Sequence, residues 1–195
     1  MFTWRHSKFD DNKQVSPLYF KNTINLLQNS RLNYVLKQNN ITLYFVFHRY
    51  IYSYKSYQEM FVKIMKNNEH LKFLSQDDIS QCISRADLVI TDFSSILFDL
   101  IARNKPYIIY IPDGEDKDFH HIYNQEYIEI LGMMKNGTIK FPNHLRSVYQ
   151  VVDKAIYYIN NNYTLDRELA SFYKEFGFTY GNNTNMFIDY LLNLE

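Results

Sequence analysis

Between Ala86 and Pro112 the chain changes its hydrophobic rhythm twice. Leu88-Val89-Ile90-Thr91 is a continuous run rich in β-branched residues, the pattern of a strand buried on both faces of a sheet. Asp92-Phe93-Ser94-Ser95 interrupts it. From Ile96 onward Ile96, Leu97, Leu100 and Ile101 recur at helical spacing until Asn104-Lys105-Pro106, where proline cannot continue a helix. Tyr107 to Ile111 is a second apolar run of strand length. Strand, polar turn, helix, strand predicts a βαβ unit with its turn at the carboxyl end of the first strand. Ligands of open α/β sheets bind at that end.

The same alternation extends along the chain. Phe2-Thr3-Trp4 reads as the end of a strand and Arg5 to Val15 as a polar loop. Ser16-Pro17 starts a helix, the hydroxyl capping and the proline occupying the first turn. Phe20, Ile24 and Leu27 are out of phase with Leu32, Val35 and Leu36, which predicts a break near Asn29-Ser30. Ile41 to Phe47 predicts a buried strand ending at His48, followed by a helix near Tyr57–Lys66 and a strand at Leu71–Leu74. Asp77 or Asp78 then caps a short helix reaching Arg85, with Cys82 on its buried face beside Ile79, Ile83 and Ala86. Helices are predicted over 143–161, 165–175 and 183–193. The pattern implies the α/β class, one parallel sheet flanked by helices.

Composition narrows the function classes. A chain of 195 residues suits one domain with a substantial core. Lys plus Arg equals Asp plus Glu at 21 each, so no overall field draws it to nucleic acid. The charges are uneven along the chain: residues 1–72 carry 11 basic and 4 acidic side chains, residues 73–195 carry 10 and 17. A basic flank of that kind suits an anionic substrate or lipid headgroups, although opposite charges distributed over a folded surface give the same count. The single cysteine, Cys82, excludes an internal disulfide. No apolar run has the length of a membrane span, and residues 1–15 lack the apolar centre of a signal peptide. The expected location is cytoplasmic.

Ser94 and Ser95 are the first candidates for chemistry. The leading amides of a helix lack intrahelical partners and carry partial positive charge, and two hydroxyls beside them can donate to phosphate oxygens. Serine at this position also serves as a simple cap. Asp99, four residues after Ser95, sits one turn further on the same face, where a carboxylate can accept from ribose hydroxyls. Asp92 suits local support of the turn. His48 at a strand end and Arg5 after the first strand are candidates for diphosphate contacts. His120-His121 has no accompanying cluster of ligands, so no metal site is expected. Glycine-rich phosphate loops are absent, with only 5 glycines in the chain.

Thr91-Asp92-Phe93-Ser94-Ser95, then Phe98-Asp99, Asn104-Lys105-Pro106 and Pro112-Asp113, resembles the motif series of the CDP-glycerol glycerophosphotransferases, the polymerases and primases of teichoic acid synthesis. Thr3-Trp4-Arg5, His48 and Gly181-Asn182-Asn183-Thr184 also resemble family motifs, so the likeness covers nearly the whole chain. Phe2, Arg49 and Met186 depart from the family pattern. The resemblance implies a Rossmann-like domain over residues 1–195, the C-terminal half of a GT-B glycosyltransferase, with C-terminal helices about 143–195. The N-terminal acceptor domain of the family is absent from this sequence. It further implies CDP-glycerol, or a related CDP-alditol, as donor substrate with no cofactor, and a polymer or lipid-linked acceptor at the inner face of the membrane. Thr91, Ser94, Ser95, Asp99, Arg5 and His48 would then hold the donor, with Phe73-Leu74-Ser75 where related transferases recognise the base. His48 is also the only catalytic candidate, since the family's catalytic base lies on the other domain. A different nucleotide-sugar GT-B transferase and a truncated, non-catalytic nucleotide-binding module are the alternatives.

The charge asymmetry is directly testable. If residues 1–72 form a basic flank, the chain will sediment weakly with anionic vesicles at low salt and less at high salt. Absence of binding at low salt would reduce the asymmetry to ordinary surface chemistry.

Overall fold

The computed structural model of the chain describes residues 2–3, 17–47, 55–92, 96–111 and 141–175. Among these residues the strands are β1 (Phe2–Thr3), β2 (Leu43–Phe47), β3 (Leu71–Phe73), β4 (Val89–Thr91), β5 (Tyr107–Tyr110) and β6 (His144–Leu145). They form one sheet in the order β3-β2-β1-β4-β5-β6, and every neighbouring pair is parallel. This is the Rossmann order: the chain winds outward from β1 to one side, then returns to wind outward on the other. The helices are α1 (Pro17–Leu27), α2 (Ser30–Gln38), α3 (Lys55–Lys66), α4 (Ile79–Arg85), α5 (Ile96–Ala102), α6 (Val148–Asn160) and α7 (Arg167–Glu175).

The helices form where the apolar spacing places them, and each turns its apolar stripe to the core. α5 buries Leu97, Leu100 and Ile101, while α6 buries Val151, Val152, Ala155, Ile156 and Tyr158 and touches both α1 and α2. Phe61 of α3 stacks on Phe45 of β2 with ring centroids 5.3 Å apart. β4 and β5 are buried along their whole length, as parallel strands covered on both faces should be. The expected break between α1 and α2 occurs at Asn29, whose side chain accepts from Leu32 N–H at 3.0 Å and caps α2.

Three helices end in the same way. Asn40, Asn104 and Asn162 follow α2, α5 and α6 with φ of 52°, 51° and 50°. In each case two amides fold back onto the last turn: Lys105 N–H donates to Leu100 O at 3.0 Å and Asn104 N–H to Ile101 O at 3.0 Å. Ile41 N–H to Leu36 O and Tyr163 N–H to Tyr158 O repeat the first of these bonds at 2.9 and 2.8 Å. Glycine usually takes the left-handed position of this motif. In a chain with 5 glycines asparagine takes it, because its short polar side chain tolerates that backbone.

Asn104-Lys105-Pro106 therefore has a structural meaning. Asn104 closes α5, and Pro106 O accepts from Val89 N–H at 3.2 Å where β5 begins beside β4. Lys105 Nζ reaches the carboxyl end of α4, donating to Ser84 O at 3.0 Å and Ala86 O at 2.6 Å. A cation there answers both the unpaired carbonyls and the negative end of the helix dipole. Lys105 O in turn accepts from the Tyr173 hydroxyl of α7.

A buried polar network ties the last helices to the sheet. Asn143, 7% exposed and at φ 58°, donates from Nδ2 to Tyr107 O at 3.0 Å and to the Tyr158 hydroxyl at 2.8 Å. Tyr158 donates to Asp166 Oδ2 at 2.8 Å. Asp166 also pairs with Lys154 Nζ at 2.7 Å and accepts from Leu169 N–H at 2.8 Å, capping α7. Burial first, then the neighbouring Asp166 carboxylate, pushes the Tyr158 hydroxyl well above the usual tyrosine range.

Several expectations require correction. The predicted helix over 143–161 starts only at Val148, where Ser147 and Gln150 form a reciprocal capping box. His144–Leu145 before it is the edge strand β6. Two residues are too few to show a hydrophobic period. Asp78 stands at the N-terminus of α4 without a side-chain capping bond; Ser75 Oγ instead accepts from Asp77 N–H at 3.1 Å. Cys82 is half-buried, and Ile83 is the residue of α4 in the core. In β2, read as a buried strand, Tyr44 is 39% exposed. The helix predicted over 183–193 lies outside the described residues.

Asp166 generates a pH prediction. Burial acts to raise its pKa, but the Leu169 amide, Lys154 and Tyr158 outweigh this and hold it below the ordinary carboxylate value. The unfolded chain therefore takes up the proton first as pH falls, at about 3.9. The stabilisation is complete above that pH and is lost as pH drops through the lower folded value. Asp166→Asn is expected to cost about 2 kcal/mol in urea unfolding at pH 7. Its deficit relative to wild type should shrink only below about pH 4.

Candidate functional site

The strand registers define one edge of the sheet. Phe2 lies opposite both Val46 and Thr91, and Thr3 lies opposite Phe47, so the chain leaves β1, β2 and β4 nearly level. The strand order reverses between β1 and β4, and it is at the carboxyl side of such a reversal that open α/β sheets as a class bind ligands. Arg5 and His48, which follow β1 and β2 in sequence, lie outside the described residues. So do Ser94 and Ser95, which lie between Thr91 and Ile96.

The described candidates fall into two groups. Thr91 and Asp92, 1% and 2% exposed, lie at the carboxyl end of β4, and the burial of Asp92 suits a group that supports the turn. Asp99 stands in the first turn of α5 and faces solvent, opposite the buried Leu97, Leu100 and Ile101. β4 and α5 thus bring Thr91, Asp92 and Asp99 to the ends of one connection. Phe73 and Leu74 end β3, three strands away and so about 14 Å along the edge.

The end of β3 is strongly committed to its own chain. The Phe73 ring meets Phe45 edge-on at 6.1 Å, and Leu74 N–H donates to Phe45 O at 3.0 Å. Ser75 accepts twice, through Oγ from Asp77 and through its carbonyl from Asp78 at 3.2 Å. Sequence alone could not distinguish these sheet-extending amides from ones turned to a ligand. Among the described residues no group of three or more His, Cys, Asp or Glu side chains could hold a metal ion, and no helix is long and apolar enough to cross a membrane.

Sequence reasoning missed the role of Lys105. Its signal was legible, since a lysine one residue after a left-handed asparagine and one before a proline has its backbone fixed on both sides. What it reaches depends on where α4 ends, which the sequence does not show.

Residues 1–185 match the family model described as CDP-Glycerol:Poly(glycerophosphate) glycerophosphotransferase. Over 190 residues, 96% of this chain and 19% of the relative, it is 28% identical to the minor teichoic acid biosynthesis protein GgaB of Bacillus subtilis. Over 104 residues, 53% of this chain and 24% of the relative, it is 29% identical to a teichoic acid poly(glycerol phosphate) polymerase of Bacillus spizizenii. The matched stretches are thus less than a quarter of either relative's length.

Thr91 carries the prediction of this site. Its buried hydroxyl has no hydrogen-bond partner among the described residues. Thr91→Val, which keeps the shape and removes the hydroxyl, is expected to leave stability unchanged or raise it by about 1 kcal/mol in urea unfolding. A loss of that size would mean that the hydroxyl has a partner among residues other than those described.

Proposed function

Because the chain belongs to the CDP-glycerol:poly(glycerophosphate) glycerophosphotransferase family, we propose that it forms the nucleotide-donor half of such a transferase, in a GT-B arrangement whose acceptor half lies in another domain. The observation that carries this reading is the reversal of strand order between β1 and β4. The connection containing Ser94 and Ser95 leaves β4 at that point, which is where α/β sheets of this order receive nucleotides.

CDP-glycerol, or a related CDP-alditol, lies along the carboxyl edge. Its diphosphate meets Ser94, Ser95 and the Thr91 end of β4, with Arg5 and His48 supplying positive charge. Asp99 accepts from the ribose, and the cytosine extends toward Phe73 and Leu74. An acceptor hydroxyl attacks the β-phosphorus; the phosphoanhydride bond breaks and CMP leaves with its electron pair. Glycerol phosphate is thereby joined to the growing polymer. A base on the acceptor domain takes the hydroxyl proton, and this chain contributes positioning and charge neutralisation. The basic excess of residues 1–72 suits a peripheral position at the anionic inner face of the membrane, where lipid-linked acceptors are held.

Titration calorimetry with CDP-glycerol, CDP-ribitol, UDP-glucose and CMP tests the reading. The CDP-alditols are expected to bind more tightly than UDP-glucose; equal or tighter binding of UDP-glucose would replace this donor class with a nucleotide sugar. Replacing Ser94 and Ser95 together by alanine should weaken CDP-glycerol binding by about 1.5–3 kcal/mol for each lost charge-assisted bond, with folding reduced less. Unchanged affinity in the folded double variant would make both serines caps only. Turnover should require the acceptor domain, so transfer by the isolated chain would overturn the two-domain mechanism.

A further inference from the structure

The fold turns a charge bias along the chain into a difference between the two faces of the sheet. The connections from β1 to β2 and from β2 to β3 step outward in the same direction, so right-handed crossovers place α1, α2 and α3 on one face. The connection from β4 to β5 steps the other way, which puts α5 on the opposite face. The contacts agree: α6 touches α1 and α2, whereas Lys105, just past α5, binds the end of α4. Among the described side chains of α1, α2 and α3, the exposed charges are Lys21, Arg31, Lys37, Lys63 and Lys66 with one carboxylate, Glu59. Along α4, α5 and the turns beside them they are Asp77, Asp78, Asp87 and Asp99 with Arg85 and Arg103.

Helical geometry aims the basic side chains away from the core. Tyr34 is two residues from both Leu32 and Leu36, the buried residues of α2, and so lies about 160° round the helix from each. Arg31 and Lys37 flank it on either side. Lys63 stands in the same relation to the buried Phe61 and Met65 of α3, and Lys21 to the buried Thr23 of α1. None of Lys21, Lys37, Lys63 and Lys66 meets a carboxylate at salt-bridge distance among the described residues. Arg31 does, pairing with Asp153 of α6, and Tyr149 lies one turn before Asp153 on the same outer surface. Tyr34 and Tyr149 are 64% and 78% exposed, and Val62, beside Lys63, is 41% exposed. Large apolar groups thus stand in solvent among unpaired cations.

We propose that the outer surface of α1, α2, α3 and α6 docks on an anionic lipid bilayer, with the lysines at the level of the lipid phosphates and Tyr34, Tyr149 and Val62 entering the headgroup layer. The cations alone would serve a soluble phosphate polymer equally well. The exposed apolar groups decide for the bilayer, because a tyrosine ring or a valine gains from the headgroup boundary and gains nothing from a hydrated polyanion. The distribution of the cations favours it too: they are spread over three helices on one face of the sheet. The functional consequence rests on the reading of the chain as the donor half of a transferase. With the helix layer on the lipid, the strands run parallel to the membrane, and the carboxyl edge opens sideways, above the headgroups by about one helix diameter, roughly 10–12 Å. A lipid-linked acceptor then approaches the donor laterally.

The test is co-sedimentation of the 195-residue chain with vesicles of phosphatidylcholine alone or with about one-third phosphatidylglycerol. Binding is expected only to the anionic vesicles. Lys37→Glu with Lys63→Glu should lower the partition coefficient about 20-fold or more, since each lost cation alone accounts for about five-fold. Arg85→Glu with Arg103→Glu makes the same change in net charge on the opposite face, separated from the lipid by the sheet and a helix layer. It should lower the coefficient by less than about three-fold, because the Debye length is only about 8 Å. Tyr34→Ser with Tyr149→Ser should weaken binding several-fold at unchanged charge. All these positions are exposed, so Tm should stay within about 2 °C of wild type. Equal losses for the two charge-reversed pairs, or no preference for anionic vesicles, would overturn the proposal. So would displacement from the vesicles by inorganic polyphosphate at matched phosphate with the tyrosine variant binding as wild type, since the surface would then serve a polyanion. CDP-glycerol affinity measured without vesicles is independent of these outcomes, so failure of the donor reading and failure of the docking surface are told apart.

Discussion

The two residues of β1 hold the sheet together. β2 and β3 form one ladder and β4, β5 and β6 another, and the backbone connection between them runs through Phe2 and Thr3. The reversal of strand order depends on this junction, because β2 and β4, which belong to the two oppositely wound halves, are both paired to β1. The contacts of α6 with α1 and α2 bind the halves a second time through side-chain packing. Packing alone fixes distance; hydrogen-bonded register fixes which strand ends are level, and thus which loops can meet one ligand.

The same demand for exact placement explains the helix ends. Each helix must stop at a defined point for the next element to take its place, and after α2, α5 and α6 the left-handed asparagines provide the stop. After α5 this device carries a second function: with Asn104 fixed, Lys105 is aimed at the end of α4. One tripeptide thus locks the helix before β4, the helix after it and the start of β5. A family motif adjoining a candidate phosphate site is in this part architectural. The side chain that makes it so is a cation that a reader of the sequence would place near the anion.

The far end of the sheet is secured differently. Asn143, Tyr158, Asp166 and Lys154 form a chain of hydrogen bonds in which each buried polar group meets a partner. A satisfied network of this kind costs little and specifies one arrangement, since any shift of α6 or α7 would leave a buried group without its partner. The edge beyond β5 is therefore held by direction-dependent contacts, while the centre is held by apolar packing and backbone pairing.

Much of this was legible in the sequence. The runs Leu88–Thr91 and Tyr107–Ile111, the helical spacing from Ile96, the break at Asn29 and the helix start at Pro17 are local patterns, and local geometry alone determines them. The class, the parallel sheet and the serine-bearing connection followed from their order. The edge strand His144–Leu145 was not legible, because two residues carry no period and pair only after β5 is in place. The exposure of Tyr44 and the commitment of Leu74 N–H to Phe45 were hidden for a related reason: a strand residue's environment is set by its neighbours, and these come from distant parts of the chain. Sequence determined where the chain would turn. Tertiary structure decided which turns share an edge, since strand order is fixed by hydrogen bonds between segments 40 to 90 residues apart, as in the pairing of Phe2 with Val46 and Thr91.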